Sequence, residues 1–390
     1  MIISESPSAP TGESMPTAAP ALAHWMLQEI HEQPKTLSAT LARYADQDGF
    51  RDDTCEPIRE WLAALKGDLV IAASGSSRHA GMVAEITIED LSGIAVDVEY
   101  ASEYITRSSN TKRDPAVLVI SQSGETADTL MALREAIQRG HPTLAVTNVA
   151  ASSMAREATV SLPTYAGVEK AIPATKSFTT QLVVLRLLSL LAAEARKQIS
   201  AQELAKQIEL LNALSAAIER QLDGWQAATR ALAEIYYDAK SLMYLGRGIH
   251  YAIAREGALK LKESSYIHAE GYPTGELKHG PNALVSDEVP LVVLATVDHG
   301  EVESVMRYEK TLALLADMKA QGARTIAVGN ADDAKLREVA SHTVEVAEVN
   351  EYLLPICEVI PLQMFAYFMA VKNGVDVDRP RNLVKSVVRE

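Results

Sequence analysis

A strand–loop–helix order that occurs twice constrains this chain more than any other feature. Apolar runs at 68–73, 116–120 and 143–147 read as buried strands, each short and bounded by small or polar residues. The first runs into the loop Ser74-Gly75-Ser76-Ser77 and a helix from about Arg78, the second into a helix that ends near Arg139. The pattern returns at 241–245, 290–295 and 325–328, so that position 73 matches 245, 117 matches 291 and 143 matches 325. Strands alternating with helices imply a parallel sheet covered on both faces. Two copies at a near-constant offset imply an internal duplication. The expected class is therefore α/β, with two tandem doubly wound domains, each a parallel sheet flanked by helices. The expected boundaries are a flexible tail (1–21), an N-terminal helical segment (22–58), a first domain (59–200), a helical connector (201–235), a second domain (236–378) and a C-terminal tail (379–390).

The loop after the second strand, Ser121-Gln122-Ser123-Gly124-Glu125-Thr126, carries three hydroxyls within six residues. Hydroxyls and N–H groups gathered at a helix N-terminus favour an anion, most simply a phosphate. The loop has neither the Lys-Ser/Thr ending of a P-loop nor a G-x-G-x-x-G pattern, which argues against a nucleotide. A small phosphate monoester fits better. An ordinary N-cap is the competing explanation, since Ser and Thr are preferred there.

Composition removes several classes of partner. The chain has 390 residues, enough for two or three full cores, and a net charge of −14, which argues against nucleic acid and anionic membranes. An anionic substrate must then be held by local dipoles. The two cysteines, Cys55 and Cys357, have no metal or redox spacing and suit a reducing, cytoplasmic compartment. Residues 1–21 lack a signal-peptide pattern, and Arg186, Glu358 and Gln363 interrupt the most apolar stretches, so no membrane span is expected. The nine histidines form no H-x-x-x-H pair and no G-x-S-x-G elbow is present, so neither a metal nor a cofactor is expected and a Ser–His–Asp hydrolase is disfavoured. His24, His31 and His342 are expected to be surface or structural residues.

The two copies differ where ligands would bind. Thr296-Val297-Asp298-His299-Gly300 replaces the hydroxyl loop in the second copy. Its distinctive segment comes earlier: Glu256, Lys260 and Glu263, spaced four and three apart, share one face of an apolar helix. A solvated ion-pair stripe would have the same spacing. The loop that follows holds His268, Glu270, Glu276, Lys278 and His279, and this density of titratable groups suggests an acid–base cluster.

Five stretches carry a resemblance: Ser121 to Thr129, Glu256 to Glu263, Tyr266 to Glu270, Gly275 to Pro281 and Arg381 to Ser386. Together they resemble the isomerase half of glucosamine-6-phosphate synthases, a tandem of sugar isomerase (SIS) domains, from about Met26 to the C-terminus. The resemblance implies that Ser77, Ser121, Gln122, Ser123 and Thr126 hold a sugar phosphate, with Glu256 also at the substrate. It implies Glu263 as the base moving a proton between C1 and C2, Lys260 as its assistant, and His279, from a neighbouring subunit, as the ring-opening group. Lys385 would form a Schiff base with the open ketose, beneath a tail that closes the site. The implied reaction interconverts fructose 6-phosphate plus ammonia and glucosamine 6-phosphate in a homodimer with a shared site. The full synthases begin with a glutaminase domain that is expected to be missing here, so a separate glutaminase partner is one corollary. Ala174 stands where the synthases usually have Ser. A deaminase, a deglycase for another amino sugar phosphate and a non-catalytic phosphosugar sensor are the alternatives.

Overall fold

The computed structural model describes residues 22–46, 49–107 and 113–387. The stretch 1–21, expected to be a flexible tail, lies outside them, as do the last three residues of the C-terminal tail. The described chain begins with three helices, α1 (Trp25–His31), α2 (Gln33–Tyr44) and α3 (Asp52–Ala63). Pro34 sits in the first turn of α2, where its missing N–H is no loss, and Asp52 and Asp53 face the positive end of α3. Short arms, Ala45–Asp46 and Gly49–Phe50, pair antiparallel between α2 and α3.

The first sheet comes from β1 (Leu69–Ala73), α4 (Gly75–Ser92), β2 (Val96–Tyr100), α5 (Ala101–Thr106), β3 (Ala116–Ser121), α6 (Ala127–Gln138), β4 (Thr143–Thr147), α7 (Ser153–Glu157), β5 (Val160–Pro163) and α8 (Lys176–Ala195). Its strand order is β2-β1-β3-β4-β5, parallel throughout. After α9 (Ala201–Glu219) and α10 (Leu222–Tyr236) come β6 (Ser241–Gly246), α11 (His250–Ser265), β7 (His268–Pro273), β8 (Leu291–Ala295), α12 (Val302–Ala320), β9 (Thr325–Asn330), α13 (Ala334–Val339), β10 (His342–Val346) and α14 (Leu354–Lys372). The second sheet runs β7-β6-β8-β9-β10 and is also parallel. The two orders are the same, strand for strand, as a duplication requires.

Central strands β1, β3, β4, β8 and β9 are buried at every residue, which is why they read as continuous apolar runs. The edge strands β2, β5, β7 and β10 escaped the sequence reading. They are only part-buried and carry polar residues such as Asp97, Glu99, Glu270 and Glu345. One further expectation needs correction. Helix α4 begins at Gly75 and not near Arg78, which places Ser76 and Ser77 in its first turn. The stretch read as a helical connector is built from two helices that part at Arg220 and Gln221.

Helices α8 and α14 are long and apolar enough to cross a membrane, but both lie almost wholly inside the protein. Helix α8 packs on α4, and α14 packs on α10 and α11. Helix α11 of the second unit also packs on α4 of the first, and one hydrophobic cluster runs through both units. The C-terminal ends of β1 and β3, where a parallel sheet gathers its ligand loops, therefore face α11 across a shared boundary.

Candidate active site

The loop from β3 to α6 is organised around its own hydroxyls. Thr126 is the N-cap residue of α6, yet its side chain caps nothing. Its Oγ1 lies 2.9 Å from Ser121 Oγ instead. Ser121 Oγ accepts from the Gly124 N–H at 3.2 Å, and Ser123 Oγ accepts from the Glu125 N–H at 3.1 Å. Gly124 has φ +66°, and a Cβ there would come within 2.1 Å of Ser152 Oγ and 2.7 Å of Thr147 Oγ1. Only glycine allows this turn, and the turn points the hydroxyls inward.

Those hydroxyls line a cleft of about 170 Å³ together with Ser77, Gln122, Lys260, Glu263, Ala174 and Lys385. Ser77 sits in the first turn of α4, where its Oγ accepts from Gln181 Nε2 of α8 at 3.1 Å. The structure thus gathers Ser77, Ser121, Gln122, Ser123, Thr126, Lys260, Glu263 and Lys385 at one place.

The opposite wall comes from α11. Lys260 is buried and donates to Glu263 Oε2 at 2.5 Å, while Glu256 Oε1 lies 3.5 Å away. Burial works against the Lys260 ammonium, but Glu263 and then Glu256 outweigh it and hold its pKa above the ordinary lysine value. Glu263 keeps 22% of its side chain exposed, on the cleft side. Glu256 has no exposure and does not line the cleft. Burial works against its carboxylate too, but Lys260, then hydrogen bonds from His79 and Ser76, hold its pKa below the usual range.

The C-terminal tail lies across the cleft. Lys385 Nζ donates to Glu169 Oε2 at 2.6 Å and to the Ala171 carbonyl at 2.7 Å. Burial works against the Glu169 carboxylate, but Lys385 and the Ser177 hydroxyl and N–H hold its pKa below the usual range. Ser386 Oγ is 3.0 Å from Ser123 Oγ, and the Val387 carbonyl accepts the Ala127 N–H at 2.9 Å.

His279 is not brought to this cleft. It is exposed on the 3-10 turn Thr274–His279, as are Glu276 and Lys278. His268 and Glu270 are exposed as well, so the expected acid–base loop is a solvated face within the single chain. Its polar groups serve one another or nearby surface charges: Tyr272 donates to Glu270, and Lys278 pairs with Asp317. In the second copy, Thr296 donates to Glu358 and Asp298 accepts the Glu351 N–H, so that loop is spent on internal bonds.

A family model for the SIS domain matches residues 64–191 and 235–372. The chain belongs to the SIS-domain family. This tandem SIS chain is 40% identical over 368 residues to a glutamine–fructose-6-phosphate aminotransferase (isomerizing) of Caldanaerobacter subterraneus subsp. tengcongensis, covering 94% of this chain. It is 42% identical over 371 residues to the Pseudomonas putida protein of the same name. It spans 59% of the length of both relatives. The solved C-terminal domain of glucosamine-fructose-6-phosphate aminotransferase from Francisella tularensis superposes with TM-score 0.85 at 36% identity, covering 92% of this chain and 99% of that one. A glucosamine-6-phosphate deaminase from Thermotoga maritima shares the fold, with TM-score 0.67 at 21% identity.

Four SIS-chain residues at or behind the cleft were not singled out from sequence. Gln181 positions Ser77, Glu169 holds Lys385, Glu29 accepts the Lys170 and Ala171 N–H groups, and His79 meets Glu256. His79 had a readable signal: with Val83 and Thr87 it falls on the core face of α4, where a lone histidine needs a partner.

Proposed function

We propose that this chain interconverts fructose 6-phosphate plus ammonia and glucosamine 6-phosphate. The observation that carries the reading is the convergence of an inward-facing hydroxyl loop, a carboxylate–lysine pair and the tail lysine on one cleft. The relatives' names support the same substrate class.

In this reading the phosphate sits on Ser121, Ser123, Thr126 and Ser77, and its binding energy orients the reacting carbons. Glu263 takes a proton from C1 of the open-chain C2 imine and returns one to C2, which makes the 2-amino aldose. Lys260 donates to Glu263 and fixes its direction. Lys385, once released from Glu169 and deprotonated, attacks the C2 carbonyl; loss of water gives the Schiff base, which ammonia then displaces. His279 opens the sugar ring from the neighbouring subunit of a homodimer, which fits its exposed place away from its own cleft. A cytoplasmic setting suits two free, buried cysteines.

The direct test is ammonia release from glucosamine 6-phosphate, with the fructose 6-phosphate plus ammonium reaction run alongside. Turnover is expected, and the ratio of rates near physiological ammonium tells a deaminase from a synthase. A chain that binds phosphosugar yet turns over neither substrate is not this enzyme. Glu263→Gln should remove turnover by roughly 1,000-fold or more while phosphosugar binding persists. Lys385→Ala should remove the adduct trapped by borohydride, and an undiminished adduct excludes Lys385 as the Schiff-base lysine.

A further inference from the structure

We infer that His79, on the first SIS domain, is a positioning residue that donates its Nδ1–H to Glu256 and thereby fixes the Lys260–Glu263 pair of the second. The inference rests on the proposed reaction for its kinetic consequence and on geometry alone for the bond itself.

His79 Nδ1 lies 2.7 Å from Glu256 Oε2, and both side chains are buried, at 9% and 0% exposure. The line continues through Lys260 Nζ, 3.5 Å from Glu256 Oε1 and 2.5 Å from Glu263 Oε2. Donor and carboxylate alternate along it, and only its last two members reach the cleft. His79 is not Glu256's sole partner, since Ser76 also donates to it and the Lys260 ammonium holds it ionised. What His79 adds is a short bond from the other domain that fixes where the carboxylate points. With Glu256 free to turn, its Oε1 would no longer hold Lys260 Nζ between the two carboxylates, and the direction in which Lys260 presents Glu263 to the cleft would be lost.

Helix α4 explains why the donor comes from the other domain. Ser77 and His79 are two residues apart, so their side chains leave the helix on nearly opposite sides, roughly 200° apart. Ser77 faces the hydroxyl loop, and His79 faces α11. One rigid helix thereby sets the distance between the anion and the base. The resting tautomer follows: Nδ1 must carry the proton, because a carboxylate can only accept.

The test uses the full chain and compares His79→Asn with His79→Gln. The Asn amide nitrogen falls near the Nδ1 position, whereas the Gln amide reaches the Nε2 position. With glucosamine 6-phosphate, His79→Gln should lose roughly 10- to 100-fold in kcat with KM within about twofold. His79→Asn should recover most of that loss. Equal rates for the two variants, or a loss confined to KM, overturn the role. Nitrogen-15 histidine spectra, with His79 assigned by its absence in His79→Asn, should show a protonated Nδ1 that shifts in Glu256→Gln. A bare Nδ1 overturns the bond itself. If the wild type turns over no phosphosugar, the proposed reaction fails, and the spectra still decide the bond.

Discussion

Glu29 lies on α1, outside both sheets, yet it reaches the loop that anchors the tail. Its carboxylate accepts the Lys170 N–H at 2.5 Å and the Ala171 N–H at 3.3 Å. Burial raises its pKa to about 7, the Lys170 N–H opposes that rise, and the nearby Glu169 carboxylate adds to it. A carboxyl whose pKa is raised in the folded state binds its proton more tightly there than in the unfolded chain. It stabilises below about pH 4.5, and that contribution is lost as pH rises to about 7. Against Glu29→Gln, the wild type should therefore lose on the order of 3 kcal/mol across that window, measured by urea melts at several pH values. Parallel stability profiles would mean that Glu29 does not titrate there. Ala174, which also lines the cleft, brings a methyl group and no side-chain donor to that wall.

At the scale of elements, α11 does most to place the chemistry, and its position depends on one glycine. A Cβ on Gly257 would come within 2.7 Å of Leu362 Cδ1 and 2.8 Å of Tyr244 Cε1. Helical Gly→Ala changes usually stabilise by about 1 kcal/mol. Here Gly257→Ala should instead cost about 1–3 kcal/mol, because α11 would have to lift from α14 and β6. It should also lower kcat, since Glu256 and Lys260 ride on the same helix; a melting temperature at or above wild type would contradict this. The sequence reveals contacts within an element and hides those between elements. Glu256, Lys260 and Glu263 were legible because four-and-three spacing places them on one face. The Glu256–His79 contact spans 177 residues and Glu169–Lys385 spans 216, and no local pattern records either. Central strands were legible because both faces are apolar, whereas β2 and β7 carry charges that read as loop. The start of α4 was hidden by Gly75, whose φ of +54° marks a turn, and by serines that resemble a cap.

At the scale of the whole molecule, the exposed His279 makes the proposed sharing of a site between the subunits of a homodimer testable in solution. Glu263→Gln and His279→Ala should each be inactive alone. Mixed after unfolding and refolding together, half of the dimers are heterodimers, and each has one intact site if His279 acts across the interface. Recovery of roughly a quarter of wild-type activity is expected. No recovery would place His279 within its own chain's site or outside the reaction. The tail adds a second whole-chain effect. The Val387 carbonyl takes the Ala127 N–H at the start of α6, and Ser386 meets Ser123. The hydroxyl loop proposed to hold a phosphate is thus already engaged by residues 386–387, and in that reading anion binding there is an exchange. A chain stopped after Lys385 should bind inorganic phosphate several-fold more tightly by calorimetry, and unchanged affinity would mean that tail and anion lie side by side. Where they compete, residues 386–387 act as a tethered competitor for the loop, at the effective concentration of a group on the same chain.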